Sequence, residues 1–244
     1  NLNTENYISL ILYTQAILSA LSSAIFYIIS TNFFSKKLSL FLSAVFCFFP
    51  SYLYACGQIS SISLYLFLLL IFIYLFLKIT NLPNLKFCFY LGLISGLLML
   101  LRGEFILLFF LSLIYLFLFY KNINIRNILF ILLISFLVMS PYLYRNITEL
   151  NTFSLTKSMG FNLWKGNNQL SKVEGYGKIS EFKNIHDKVK SISKDKYYEI
   201  NWDNIFLDEA IDNIEKNPII YLKLSFKKLF SFYFIDLESS YPNY

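Results

Sequence analysis

Two arginines and a carboxylate sit where a largely apolar chain would not keep charge without a use. Arg102 and Glu104 fall in LLRGEF, between two apolar stretches, and Arg145 closes a later stretch in SPYLYRN, residues 140–146. An ionisable group within a bilayer costs a few kcal/mol, so each asks for a reason. A guanidinium is planar and offers a fork of donors that matches two phosphate oxygens. The functional reading is therefore phosphate binding by Arg102. The plain reading makes Arg-Gly-Glu a charged tight turn and Arg145 a juxtamembrane anchor.

Downstream, GFNLWKGNN, residues 160–168, joins an aromatic ring to glycines and asparagines. Taken alone it is a surface turn, because Gly and Asn tolerate positive φ. His186 is the single histidine and lies in a charged stretch, which suits a solvated side chain. Asn146-Ile147-Thr148 matches a glycosylation sequon but adjoins an apolar run. Cys47, Cys56 and Cys88 have no metal-ligand spacing and read as small packing residues. No aspartate precedes Asp187, and the carboxylates before Glu149 are Glu5 and Glu104. There is no DxD, HExxH, Walker loop or Ser-His-Asp pattern. No cofactor is implied and no metal site is assigned, a divalent metal being left open.

The elements that must position these residues follow from composition. Of 244 residues, 57% are hydrophobic and only 15% charged, too little charge to cover a soluble domain. The apolar residues come in long blocks, and in lipid only helices satisfy the backbone within each segment. The expected fold is an all-α integral membrane protein of about six spans: 8–29, 38–54, 60–77, 87–101, 105–120 and 128–143. The 87–120 pair reads either as two spans or as a re-entrant hairpin. A bundle over 1–145 precedes a polar extramembrane segment over 146–217. Within it Phe206, Leu207, Ala210, Ile211 and Ile214 recur at helical spacing, with Asp208, Glu209, Asp212 and Glu215 facing away. That helix should stop at Asn217-Pro218. Residues 218–244 then read as an interfacial helix, with Lys223, Lys227 and Lys228 reaching toward lipid phosphates, or as a seventh span.

The net charge of +6 comes from lysines and arginines gathered at span ends, so nucleic acid is a poor partner. Lys36 and Lys37, Lys78 and Lys86, and Lys121 and Arg126 occupy one set of loops; Gln58, Arg102 and Arg145 occupy the other. The positive-inside rule puts the lysine loops in the cytoplasm and the polar segment outside, in the periplasm for a bacterial inner membrane. The chain begins at Asn1 rather than Met and ends just after an apolar run. It reads as a piece of a longer protein.

Taken in order, these segments resemble the GT-C fold membrane glycosyltransferases that use polyprenyl-phosphate sugars, in particular bacterial relatives of the dolichyl-phosphate-mannose protein mannosyltransferases. The likeness is carried by Gln15 ahead of a Lys-Lys turn and FPSYLYACGQ (residues 49–58), by Arg102 where a Thr-Arg-Pro turn is common, and by SPYLYRN against Pro-Trp-x-x-Arg-Asn. GFNLWKGNN matches Gly-x-Asn-Leu-Trp-x-Gly-Asn-Asn, and DLESSYPNY resembles a Glu-x-Pro-Asn-like sequel. The resemblance implies a hexosyltransferase moving sugar from a polyprenyl-phosphate donor to a lipid, glycan or protein acceptor at the outer face, among membrane lipids. Arg102 and Arg145 would hold the donor phosphate; Asn162, Trp164, Asn167 and Asn168 would shape the acceptor side, Trp164 as a platform for a sugar ring. The family's catalytic aspartate, in a first outer loop, has no counterpart here, so this piece alone is expected to be inactive. A non-enzymatic lipid or polysaccharide transporter would use the same helices and arginines; a pore, however, wants polarity spread through several spans, whereas here it gathers at one face. Single cysteines placed beside Arg102 and beside Arg145 should label from the same side of the membrane with an impermeant maleimide, and labelling from opposite sides removes the shared site.

Overall fold

The computed structural model describes residues 4–81, 83–156, 158–173 and 178–233, without the side chains of Thr4, Glu5, Phe232 and Tyr233. DLESSYPNY, residues 236–244, and the Glu5 carboxylate therefore lie outside it. Every regular element among the described residues is helical. The chain divides into two compact units, Asn1–Arg145 and Asn146–Tyr244.

The first unit is built from α1 (Thr4–Ser30), α2 (Lys36–Cys47), α3 (Pro50–Gly57), α4 (Ile62–Asn81), α5 (Leu85–Leu101), α6 (Phe105–Phe119) and most of α7 (Ile125–Leu150). Their order follows the apolar blocks, and by length and composition they support three or four of the about six crossings expected. Three helices are long and apolar enough to cross a membrane: Asn6–Ser30, Ile62–Asn81 and Ile125–Leu150. The block at 38–54 is a bent pair, with 45° between α2 and α3. Pro50 is the reason. It opens α3 and pushes Phe49 into extended backbone, ψ 123°, as a residue before proline prefers. Counting that pair gives four. With 17 and 15 residues, α5 and α6 are about 25 and 22 Å long, short of the ~30 Å hydrocarbon layer.

Apolar side chains here point both inward and outward. Leu68, Phe72, Leu91, Leu98, Phe105, Phe109 and Ile131 form a core shared by α4, α5, α6 and α7. The outer faces are equally apolar: Leu107 and Phe119 on α6 are each 69% exposed. A helix apolar all round has no use for water on its far side, so lipid is the matching solvent. Small residues bring the helices close. Ser39 and Ser43 of α2 are buried, Ser43 Oγ donates to Ser23 O of α1 (3.3 Å), and Phe26 stacks on Phe46.

The closest approach joins α5 and α7. A Cβ on Gly92 would meet Ile131 O at 2.7 Å, and one on Gly96 would meet Val138 Cβ at 2.7 Å and Ser135 O at 2.9 Å. Gly92 and Gly96 form a GxxxG step, which lets two helix backbones touch. Pro141 sits inside α7 and cannot donate to Leu137 O; the Ser140 hydroxyl takes that carbonyl instead (2.9 Å), and the helix runs on.

The second unit holds α8 (Met159–Gly166), a 3-10 turn (Ile179–Glu181), α9 (Lys183–Ser191), α10 (Tyr198–Lys216) and α11 (Pro218–Tyr233). As expected, α10 ends at Asn217-Pro218. Its buried stripe is Phe206, Ala210 and Asn213, while Ile211 is turned out. With 16 residues, α11 is not among the helices that meet the length and hydropathy of a span.

Replacing Gly96 with Val should cost about 2–3 kcal/mol by forcing α5 off α7. Cys88 is fully buried on α5, so the temperature at which it reacts with a thiol dye should fall. An unchanged midpoint would mean that the two helices do not touch there.

Candidate functional site

Arg102 ends α5, its N–H bonded to Leu98 O (2.9 Å), and Phe105 N–H turns back to Arg102 O (3.1 Å). The tight charged turn expected from Arg-Gly-Glu is therefore present. The side chain is exposed and its guanidinium carbon lies 5.3 Å from the centre of the Tyr65 ring, within cation–π range. Tyr65 is in the first turn of α4, so the α5–α6 turn and the start of α4 share one end of the unit.

Gln15 lies close to the start of α4. It is 5% exposed, and with its amide oriented to donate it reaches Gln58 O (2.9 Å) and Ala55 O (3.2 Å). Cys56 Sγ is 3.7 Å from Ser63 Oγ. A polar seam thus ties the middle of α1 to the α3–α4 connection. Its hydrogen bonds satisfy groups that would be costly in lipid, which gives Gln15 a structural role.

Arg145 is placed by the α5–α7 contact. Gly92 faces Ile131 and Ile134, and Gly96 faces Ser135 and Val138, so the two helices run parallel and in fixed register. Six residues past Gly96, Arg102 is level with residues six past Ser135 and Val138, that is 141–144, one step from Arg145. Both arginines emerge at the same end, and both are exposed. Lys78 and Lys86, flanking the α4–α5 connection, mark the opposite end.

In the second unit the GFNLWKGNN expectation needs correction. The segment is a helix, α8, with a cap, rather than a surface turn. Gly160 N–H and Phe161 N–H donate to the two oxygens of Asp203 on α10 (3.0 and 2.9 Å). A Cβ on Gly160 would lie 2.1 Å from Asp203 O, so only glycine lets α8 rest on α10. Trp164 is fully buried and packs edge-on against Phe182 and Phe206, centroids 5.2 and 4.8 Å away. Its ring is the centre of this unit's core and has no open face for a sugar to stack on. Asn167 Nδ2 donates to Leu163 O (2.8 Å) and Asn168 Nδ2 to Trp164 O (3.1 Å); these amides close the end of α8. Of the four expected acceptor residues, Asn162 alone is exposed.

Lys228 completes α8, its ammonium donating to Gly166 O (2.8 Å). A carboxylate at the N-terminus and an ammonium at the C-terminus match the sign of the helix dipole. Burial pushes the Lys228 amine below its ordinary pKa. The three lysines of α11 therefore do not act alike: Lys228 turns inward, while Lys223 and Lys227 stay exposed. Asn146 is also structural, 1% exposed, with Nδ2 donating to Ser154 O (2.8 Å), a poor position for a glycan. His186 is exposed, as expected. Among the described residues no group of three or more His, Cys, Asp and Glu is placed to hold a metal.

Sequence reasoning missed Tyr65, Asp203 and Lys228 as partners. Nothing local marks Tyr65 among 19 tyrosines. Asp203, one acidic residue between Trp202 and Phe206, gave the only available signal. Replacing Asp203 with Ala should destabilise this unit by about 2 kcal/mol and Gly160 with Ala by at least ~2 kcal/mol. The chain's two tryptophans, Trp164 and Trp202, both lie in this core, so denaturant unfolding followed by their fluorescence measures it directly; an unmoved transition for either variant would contradict the capped-helix account. Set against known protein families, curated proteins and solved structures, the chain matches none.

Proposed function

We propose that this chain is part of a membrane glycosyltransferase of GT-C type, one that moves a sugar from a polyprenyl-phosphate donor to a lipid, glycan or protein acceptor. The observation that supports it is the register of α5 and α7, which sets Arg145 at the same end as Arg102, the latter beside Tyr65. When the bond between the anomeric carbon and the phosphate oxygen breaks, negative charge grows on the departing phosphate. Guanidinium groups already in place stabilise that charge without reorganising, the kind of term that contributes most in such sites. Tyr65, whose ring centre lies 5.3 Å from the guanidinium carbon, limits the swing of Arg102.

The same reaction needs a base for the acceptor's proton. Glu104 carries the one described carboxylate of the first unit, and the resemblance assigns the base to a loop without a counterpart in this chain. The chain's contribution, on this reading, is the phosphate grip and the lipid-facing scaffold. The acceptor side is reduced to Asn162, since Trp164, Asn167 and Asn168 are engaged in the core and cap of α8.

The test is binding of a polyprenyl-phosphate sugar to the full chain in nanodiscs. Arg102→Ala and Arg145→Ala should each weaken donor binding about tenfold or more, as loss of a charge-assisted contact does, and Arg102→Lys should recover only part of it. Binding that survives both alanine changes removes the phosphate site.

A further inference from the structure

The first unit carries a second feature at the end opposite Arg102. A trough of about 390 Å³ opens between α1, α4 and α5, lined by Ile25, Ile28, Ile71, Tyr74, Tyr90 and Ile94. Five of these positions are aliphatic or half-buried, and Ile28 and Tyr90 form an exposed rim, 48% and 42%. The volume is within the range of ligand sites. Its chemistry, however, is that of a hydrocarbon chain, with almost nothing to satisfy a polar ligand along its length.

Polarity enters at one end in a definite order. Tyr74 on α4 is followed four residues later by Lys78, and Tyr90 on α5 is preceded four residues earlier by Lys86. Residues so spaced lie on the same helix face, and both lysines lie toward the short α4–α5 connection. Each trough tyrosine therefore has a lysine one turn beyond it, at the same end. Lys78 Nζ sits 5.5 Å over the Tyr74 ring, and both ammonium groups are exposed. The order apolar trough, two tyrosines, two ammonium groups matches that of a phospholipid from tail to headgroup. Tyrosine favours the level where chain meets headgroup, and lysine reaches the phosphate beyond it.

We propose that this trough binds one acyl chain of an anionic phospholipid, whose phosphate is met by Lys78 and Lys86. The site is separate from the arginine end, so it stands or falls independently of the sugar chemistry. Charge selects among lipids that share the same tails: a zwitterionic headgroup gains little from two ammonium groups, an anionic one gains from both.

The experiment uses the full chain purified in detergent, native mass spectrometry, and equal amounts of dioleoylphosphatidylglycerol and dioleoylphosphatidylcholine. The wild-type chain should retain phosphatidylglycerol preferentially. The Lys78→Gln/Lys86→Gln variant should lose that preference by roughly 30-fold, the product of two lysines near an anionic headgroup. A phosphatidylglycerol with a photoactivatable group at its acyl end should crosslink to the peptides bearing Ile28, Tyr90 or Ile94. Unbroken burial of Cys88 confirms that the lysine variant is folded; if it is not, Ile28→Trp, which fills the exposed rim, should abolish retention and crosslinking. Equal retention of both lipids, a lysine variant that binds normally, or crosslinks confined to other helices would each overturn the proposal. So would polyprenyl phosphate displacing phosphatidylglycerol regardless of the lysines, which would give the trough to a donor tail.

Discussion

The α5–α7 contact is the constraint from which the rest of the first unit follows. Between helices in lipid there is no hydrophobic gain from association, because the lipid chains are as apolar as leucine. Approach has to come from shape, and Gly92 and Gly96 supply it by leaving backbone against backbone. Two glycines one turn apart fix translation as well as distance, since each must face its own gap on α7. That fixed translation carries to the helix ends, where it sets Arg102 level with the last turns before Arg145. The serine at 140 protects the same arrangement by covering the carbonyl that Pro141 leaves unbonded, so α7 reaches Arg145 as one helix.

A different logic holds the second unit. Its centre is an eight-residue helix, too short to persist alone in water. It persists because others finish its ends: the Asp203 carboxylate takes two of its opening N–H groups and the Lys228 ammonium takes a closing carbonyl. Trp164 then supplies the burial, with Phe182 and Phe206 across its edges. The residues that make GFNLWKGNN distinctive each have a place in this design. Gly160 permits contact with α10, Trp164 fills the core, and the two terminal asparagines close the helix.

The two ends of the first unit differ in the kind of cation they carry, and the difference has chemical content. One end presents guanidinium groups, one of them steadied by an aromatic ring, a geometry suited to a phosphate held in a defined orientation. The other presents ammonium groups on flexible stems beside an apolar trough, suited to a lipid headgroup that needs charge more than orientation.

What the sequence determined by itself was the solvent and the order of elements. Long blocks without charge require helices in lipid whatever their partners, so the apolar segments were visible in the sequence. Lengths were less legible, because Pro50 divides a block that hydropathy leaves whole and because α5 and α6 stop short of a full crossing. The roles of single polar residues were decided by tertiary structure. Trp164, Asn167 and Asn168 look like a recognition motif in one dimension; only the packing of α8 on α10 shows that their polar groups and ring are turned inward. Lys228 cannot be told from Lys223 and Lys227 by spacing, since all three lie on one short helix and only the carbonyl at Gly166 distinguishes them. Local patterns fix which solvent a segment prefers, an additive property of its residues. Which neighbour a side chain meets depends on segments distant in sequence, and that is settled only when helices touch.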